Sequence, residues 1–177
     1  QLNKTEFTQP ALLTCSVAIW RDYIAKGGEL PAYLAGHSLG EYSALVCAEV
    51  ISLADAVLLV QKRGQYMQQA VPAGTGAMAA IIGLDDELVS KACTDSAQGD
   101  VVAPVNYNSP GQIVIAGEKA AVERAMVLAK ELGAKRALPL PVSVPSHCEL
   151  MKPAADKLAA DLEQLKFNTP VIPVINN

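Results

Sequence analysis

The sequence has little of what marks several large protein classes. It contains no uninterrupted apolar run of about 18 residues, so it predicts no transmembrane helix. It has no cluster of lysine and arginine and a net charge of −4, so we expect neither a nucleic acid nor a membrane as partner. The four cysteines are widely spaced and form no Cys-x-x-Cys pair. This favours a reducing compartment over a disulfide scaffold, and we expect a cytoplasmic protein.

Residues that hold metals and phosphates are also scarce. The chain has only two histidines, and its acidic residues show no metal-ligand spacing. A glycine-rich phosphate loop is absent from the sequence as well. We therefore expect no metal site and no permanently bound cofactor.

The apolar content is high, at 51% of 177 residues, which suffices for one core and a small subdomain. The chain opens on Gln1 and stops at Asn177, directly after the strand-like stretch VIPVINN. We therefore expect a fragment of a longer protein that lacks both termini.

The segment from residue 77 to residue 143 predicts two helices and four strands in the order β-α-β-β-α-β. That order is typical of a ferredoxin-like unit. We therefore predict an α/β fold in two parts, with a ferredoxin-like subdomain at 74–143 inserted into a discontinuous α/β core at 1–73 and 144–177.

A serine lies between two glycines in the stretch Gly36-His37-Ser38-Leu39-Gly40, after an apolar strand pattern and before a helix pattern. Such a turn strains the serine backbone and exposes Oγ, and the glycines let chain segments pass closely. The N–H of Leu39 is placed to donate to an oxyanion. Ser38 is thus a candidate nucleophile; the alternative is a tight turn with a helix-capping serine.

A serine needs a base to act as a nucleophile. His37 adjoins Ser38, and we expect its side chain to point away from Oγ. His147 follows a predicted strand and opens a predicted helix, which makes it the candidate general base or, alternatively, a helix cap. Because no carboxylate is well placed to complete a triad, we expect a Ser-His dyad.

Arg63 borders the apolar stripe of a predicted helix, where its permanent charge needs a partner. Spacing alone favours an internal salt bridge or a surface arginine with its stem on apolar residues. The alternative is a clamp on a substrate carboxylate. Further candidates for a substrate pocket are Gln9, His37, Met67, Asn106 and Ser146.

Several stretches together resemble the malonyl-CoA:acyl carrier protein transacylase family. They are TQPALL, AGHSLGEYSAL, QKRGQYMQ, GTGAMAAIIGL, VNYNSPGQIVIAG, AKRALPLPVSVPSHCELMKPA and FNTPVIPVINN. The resemblance spans essentially the whole chain. It implies that the core is hydrolase-like, with a parallel sheet, and carries the ferredoxin-like insertion.

The resemblance also implies a site and a reaction. Ser38 would carry the malonyl group, His147 would be the base, Arg63 would pair with the malonyl carboxylate, and Leu39 would supply an oxyanion N–H. The substrate would be malonyl-CoA and the partner acyl carrier protein, in ping-pong transfer that serves fatty acid synthesis. The family's N-terminal strand with a second oxyanion donor, and its C-terminal glutamine that orients the histidine, are missing from this chain.

Three alternatives stay open. A serine esterase or thioesterase would need a placed triad acid and would leave Arg63 without a role. A polyketide-type acyltransferase could use another extender unit, although Leu39 resembles the malonyl-selecting type. A carrier-protein docking module would use Ser38 only as a turn residue. Acyl carrier proteins are acidic, so Lys135 and Arg136 are candidates for the docking surface.

Overall fold

The computed structural model describes residue 2, residues 4–142 and residues 144–177. The chain folds as two compact units, the first formed by residues 1–66 and 156–177 and the second by residues 67–155. Helices and strands alternate in an α/β fold with a parallel and an antiparallel sheet. They are α1 (Thr5–Ala25), β1 (Leu34–Ala35), α2 (Leu39–Cys47), α3 (Leu53–Ala70), β2 (Gly76–Ile82), α4 (Asp86–Ala97), β3 (Val102–Ser109), β4 (Gln112–Glu118), α5 (Lys119–Glu131), β5 (Arg136–Pro139), a 3₁₀ turn (Glu149–Met151), α6 (Lys152–Leu162) and β6 (Val174–Ile175).

The first unit has a short parallel pair of strands, in which Leu34 of β1 pairs with Val174 of β6. Because both strands run in the same direction, their carboxyl ends lie at one edge of the sheet. The chain leaves β1 at this edge and enters α2 through residues 36–38. Helices α1, α2 and α3 supply the apolar core, formed by Leu13, Val17, Val46, Ile51, Ala56, Leu59 and Val60.

The sequence predicts Thr8 as the cap of the first helix and a capping box of Ser52 and Asp55 for the third. Ser52 and Asp55 form the expected cap of α3, because the Asp55 N–H donates to Ser52 Oγ over 3.0 Å. The expectation that Thr8 caps α1 is wrong, since α1 begins one turn earlier at Thr5. Thr8 instead lies inside the helix, where its hydroxyl donates to the Lys4 carbonyl over 3.0 Å. The earlier start places Gln9 in a regular helix.

The second unit has a four-stranded antiparallel sheet in the order β3-β4-β2-β5. Side chains alternate across its strands, so each strand contributes to both faces. One face packs against α4 and α5 around Ala79, Ile81, Val89, Cys93, Ile113, Ile115, Val122 and Ala125. The other face carries Met78, Val114, Ala116 and Cys148. Cys148 packs on this sheet, and the second compact unit extends over residues 67–155.

The segment that contains His147 differs from its prediction. The sequence predicts a helix from Cys148 to Leu165, but α6 begins only at Lys152, and Glu149–Met151 form a 3₁₀ turn. The turn is closed by the Met151 N–H, which donates to the Cys148 carbonyl over 2.9 Å. His147 therefore lies in the turn before this element, with φ at 66°, and does not open a helix.

Helices α1 and α3 approach closely at Gly64. A Cβ on Gly64 would lie 2.6 Å from the Glu6 Cα and 2.7 Å from the Thr5 carbonyl oxygen. Any other residue would push the start of α1 away from α3. The same close approach brings Gln9, one turn along α1, within reach of Arg63 on α3.

Gly64→Ala tests this close approach. Helix propensity alone favours alanine by about 1 kcal/mol. The added Cβ would overlap backbone atoms that cannot rotate away, so we expect a loss of about 1–3 kcal/mol in the free energy of unfolding. Urea unfolding of the variant and the parent protein measures the difference.

Gly40→Ala is the matched control, because Gly40 lies in the first turn of α2 and a Cβ there would meet no heavy atom within 4 Å. We expect its stability to equal or exceed that of the parent protein. A Gly64→Ala protein as stable as Gly40→Ala would contradict the packing argument.

Candidate active site

Ser38 occupies a strained turn between β1 and α2. Its φ is 54° and its ψ is −109°, a backbone conformation that costs of order 1–3 kcal/mol for a residue with a side chain. Gly36 lies so close to the start of α2 that a Cβ there would overlap the backbone of Gly40 and Glu41. The turn is sharp, as the glycine spacing predicts, and Ser38 is half-buried.

Backbone N–H groups at the start of α2 surround the Ser38 turn. The Gly40 N–H donates to the His37 carbonyl over 2.9 Å, and the Glu41 N–H donates to the Ser38 carbonyl over 3.3 Å. Leu39 is the first residue of α2, so its N–H has no acceptor within the helix. A helix N-terminus also carries a partial positive charge. The Leu39 N–H is therefore suited to stabilise an anionic oxygen at Ser38.

Arg63 joins α3 to the serine turn and to α1. Its Nη2 donates to Ser38 Oγ over 3.1 Å, and its Nη1 donates to Gln9 Oε1 over 2.6 Å. Its guanidinium carbon lies 5.7 Å from the centre of the Tyr42 ring, which is within cation–π range. The arginine thus reaches the candidate nucleophile directly.

Gln9 is buried, with 4% of its surface exposed. Its Nε2 donates to Thr5 Oγ1 over 2.7 Å, so its Oε1 is the atom that accepts from Arg63. The contact with Thr5 fixes the orientation of the amide. An amide oxygen orients the guanidinium without cancelling its charge.

The partners of Arg63 named above are all neutral groups. Burial lowers the pKa of Arg63, but a guanidinium keeps its proton at any physiological pH. Burial likewise raises the pKa of Tyr42 and favours its neutral form. Arg63 is absent from the ion pairs Lys26–Asp22, Lys62–Asp161, Lys91–Asp95 and Arg124–Asp100.

A half-buried cation whose partners are neutral groups keeps a charge that an anion could neutralise. The interpretation of Arg63 as one half of an internal salt bridge is therefore wrong for the part of the chain that the structure describes. The guanidinium lies beside Ser38 Oγ, and its fork of N–H groups has the geometry that carboxylates and phosphates prefer.

His37 adjoins Ser38 in the chain, and four further candidates belong to the second unit. His37 is exposed beside Ser38, and Met67 is buried on α3, where the second unit begins. His147 is exposed, and Ser146 is half-buried, with its N–H donating to the Val144 carbonyl over 3.0 Å. Asn106 is half-buried on β3, next to an irregularity in the pairing with β4. The first unit thus brings together Ser38, Leu39, Arg63 and Gln9, whereas His147, Ser146, Asn106 and Met67 belong to the second unit.

Two neighbours of the site are missing from the predicted set. Tyr42 lies four residues after Ser38, so one turn of α2 brings it to the same side, and this spacing is visible in the sequence. Asn177 reaches the Ser38 turn from the end of β6. Its contact joins residues 139 positions apart, and nothing in the local sequence signals it.

Among the described residues, no three His, Cys, Asp or Glu side chains are grouped so that they could hold a metal ion. The helices of the same residues include none with the length and apolar character needed to cross a bilayer.

The chain is similar in sequence to proteins of known function. The acyl transferase domain family matches residues 1–177. Malonyl CoA-acyl carrier protein transacylases of Salmonella typhimurium and Escherichia coli K12 are each 68% identical to all of this chain. The chain spans little more than half of these curated relatives, namely 57% of each.

Solved structures agree with this result. An acyl carrier protein S-malonyltransferase from Vibrio cholerae matches with a TM-score of 0.96 and 73% identity, over 99% of this chain and 57% of that protein. A malonyl-transacylase in complex with its type II polyketide acyl carrier protein matches with a TM-score of 0.98 and 66% identity, over 99% of this chain and 57% of that protein. With its full length matched by the family and its site built around Ser38, this chain belongs to the acyl transferase domain family.

Proposed function

We propose that this protein moves a malonyl group from malonyl-CoA to the phosphopantetheine thiol of acyl carrier protein, through an ester on Ser38, and so supplies fatty acid synthesis. One observation carries the proposal: the Arg63 guanidinium lies 3.1 Å from Ser38 Oγ and is held by neutral groups. The names of the curated relatives support the same activity.

The malonyl group fits this arrangement because its carboxylate lies one methylene beyond the carbonyl carbon that Ser38 attacks. Two N–H groups of Arg63 can bind the two carboxylate oxygens in parallel. The incoming carboxylate then takes the place of Ser38 Oγ on Nη2 and leaves Oγ available for attack. An acetyl group lacks the carboxylate and would leave the half-buried cation unpaired, which disfavours it as a substrate.

The reaction proceeds in two halves. His147 accepts the Ser38 proton as Oγ attacks the malonyl thioester, and the Leu39 N–H stabilises the oxyanion. The thiolate of CoA leaves with the proton from His147, and malonyl-Ser38 remains. The thiol of the carrier protein then gives its proton to His147, and its sulfur attacks the ester carbonyl. Ser38 Oγ leaves and takes that proton from His147, which frees Ser38 and releases the malonyl carrier protein.

The architecture behind this chemistry is, in our proposal, a hydrolase-like core with a ferredoxin-like subdomain inserted at 74–143. The parallel pair of β1 and β6, followed by the strained strand-to-helix turn, supports the first part. The β-α-β-β-α-β order of β2, α4, β3, β4, α5 and β5 supports the second. We further propose that the protein needs no resident cofactor and works in the cytoplasm.

The carrier protein is the proposed partner. Acyl carrier proteins are acidic, and Lys135 and Arg136 are both exposed beside β5, where they offer a complementary charge. Since one matched structure contains a type II polyketide carrier protein, a polyketide carrier is the second candidate partner.

Covalent labelling tests the proposed function. We expect the full-length protein, mixed with malonyl-CoA alone, to gain the mass of one malonyl group on the peptide that contains Ser38. Ser38→Ala should gain none, because the acceptor oxygen is gone, while the control Ser90→Ala, on α4, should label as the parent protein does. Intact-protein and peptide mass spectrometry reads the result, and a malonyl group on any other residue would refute the assignment.

Acyl selectivity tests the role of Arg63. We expect Arg63→Ala to lower kcat/KM for malonyl-CoA by about 10²-fold or more, since loss of one partner of a desolvated charge pair costs about 2–5 kcal/mol. The same change should alter kcat/KM for acetyl-CoA by less than about threefold, because no carboxylate is lost. Steady-state kinetics with both thioesters gives the ratio.

Two further variants sharpen this experiment. Gln9→Glu places a carboxylate where Arg63 now meets an amide oxygen at 2.6 Å, so it should pair with the cation and reduce malonyl selectivity without removing the arginine. Lys62→Ala is the control, because Lys62 is the adjacent cation but pairs with Asp161 at 2.5 Å. Equal losses for malonyl and acetyl transfer in Arg63→Ala would contradict the carboxylate clamp.

A further inference from the structure

The Ser38 turn is held from the side by the side chain of Asn177. Asn177 follows β6, the parallel neighbour of β1, and its amide extends to the turn. Its Oδ1 accepts from the Ser38 N–H over 3.3 Å, and its Nδ2 donates to the Gly36 carbonyl over 2.5 Å. One amide group therefore bonds to the backbone on both sides of His37, within the strained turn.

Glu41 in turn holds Asn177. The Glu41 Oε2 accepts from the Asn177 backbone N–H over 3.2 Å and from its Nδ2 over 3.3 Å. Glu41 lies in the first turn of α2, where a carboxylate is stabilised by the partial positive charge of the helix end. The two residues thus tie the start of α2 to the end of β6 across the serine turn.

The hydrogen bonds of the Asn177 side chain determine which chemical group can occupy position 177. Nδ2 faces a carbonyl oxygen and a carboxylate oxygen, and both of these only accept hydrogen bonds. Oδ1 faces an N–H, which only donates. An amide satisfies both demands, whereas an ionised carboxylate of the same shape would place negative charge against Gly36 and Glu41.

We propose that Asn177 and Glu41 are positioning residues that hold the Ser38 turn and aim Oγ at the thioester. Asn177 also occupies the Ser38 N–H, which leaves the oxyanion to the Leu39 N–H. Neither side chain touches the malonyl group. The two residues therefore affect the rate of acylation, and they do not affect the affinity for malonyl-CoA or the choice of acyl group. The inference rests on the proposed acylation of Ser38.

Asn177→Asp in the full-length protein is the sharpest test. We expect the first-order rate constant for acylation at pH 8, measured by rapid quench and mass spectrometry, to fall about 10²-fold, as a displaced catalytic group does. The half-saturating malonyl-CoA concentration should stay within about twofold, because Arg63 is untouched. Parent protein that fails to acylate at all would instead refute the proposed function, so the two failures are distinguishable.

The pH dependence separates positioning from a general loss of structure. The introduced carboxyl would lie beside Glu41, so its pKa would be raised, and at low pH its protonated form would again donate a hydrogen bond. The rate of Asn177→Asp relative to the parent protein should therefore rise about tenfold from pH 8 to pH 5. The measured quantity is the acylation rate of the variant divided by that of the parent protein at the same pH. Titrations that occur in both proteins, including those of residues around Arg63, therefore cancel in this ratio.

Asn168→Asp is the matched control, because Asn168 also lies in the first unit and its Nδ2 donates to a backbone carbonyl, that of Glu49, over 3.2 Å. We expect its acylation rate and pH profile to follow the parent protein. Should Asn177→Asp not fold, Glu41→Gln is the second variant, with an expected loss of about tenfold at unchanged half-saturation. Parent-like acylation in the folded variant, or a loss independent of pH in Asn177→Asp, would overturn the proposal.

Discussion

The half-buried charge of Arg63 is the constraint on which the rest of the site depends. A guanidinium cannot discard its proton to escape burial, so the protein must give it hydrogen-bond acceptors. In this chain the acceptors are neutral, an amide oxygen of Gln9 and the hydroxyl of Ser38. The guanidinium is therefore held in place without being neutralised, and it lies beside Ser38, whose backbone is strained. That combination is the basis of our proposal that the site accepts an acyl group that carries its own carboxylate.

The first unit is built to maintain this arrangement. Gly64 allows α1 and α3 to approach closely enough for Gln9 to contact Arg63. The parallel pairing of β1 with β6 fixes the strand that precedes the Ser38 turn. Asn177 bonds to the backbone of the Ser38 turn, and Glu41 accepts hydrogen bonds from Asn177. In the proposed mechanism Arg63 binds the acyl group and Asn177 positions the nucleophile. We therefore expect substitutions to alter selectivity and acylation rate separately.

Sequence reasoning succeeded where the signal is local. The glycine spacing around Ser38 predicts its turn, and the Ser52–Asp55 spacing predicts the cap of α3, because each depends on atoms within a few residues. It failed where the deciding contact is distant in the chain. The partnership of Gln9 with Arg63 spans 54 positions, and that of Asn177 with Ser38 spans 139. The spacing of apolar residues places Arg63 at the border of an apolar stripe on its helix. This spacing does not reveal whether the partner of Arg63 is a carboxylate or an amide.

The central claim is that Arg63 receives the carboxylate of the acyl group on Ser38. A crystal structure of the full-length protein with malonate esterified to Ser38 tests it most directly. The account predicts two parallel N–H···O contacts of about 2.8 Å between the Arg63 guanidinium and the malonyl carboxylate, with the contact to Gln9 retained. A malonyl carboxylate directed to solvent, with Arg63 still bonded to Ser38 Oγ, would contradict the account.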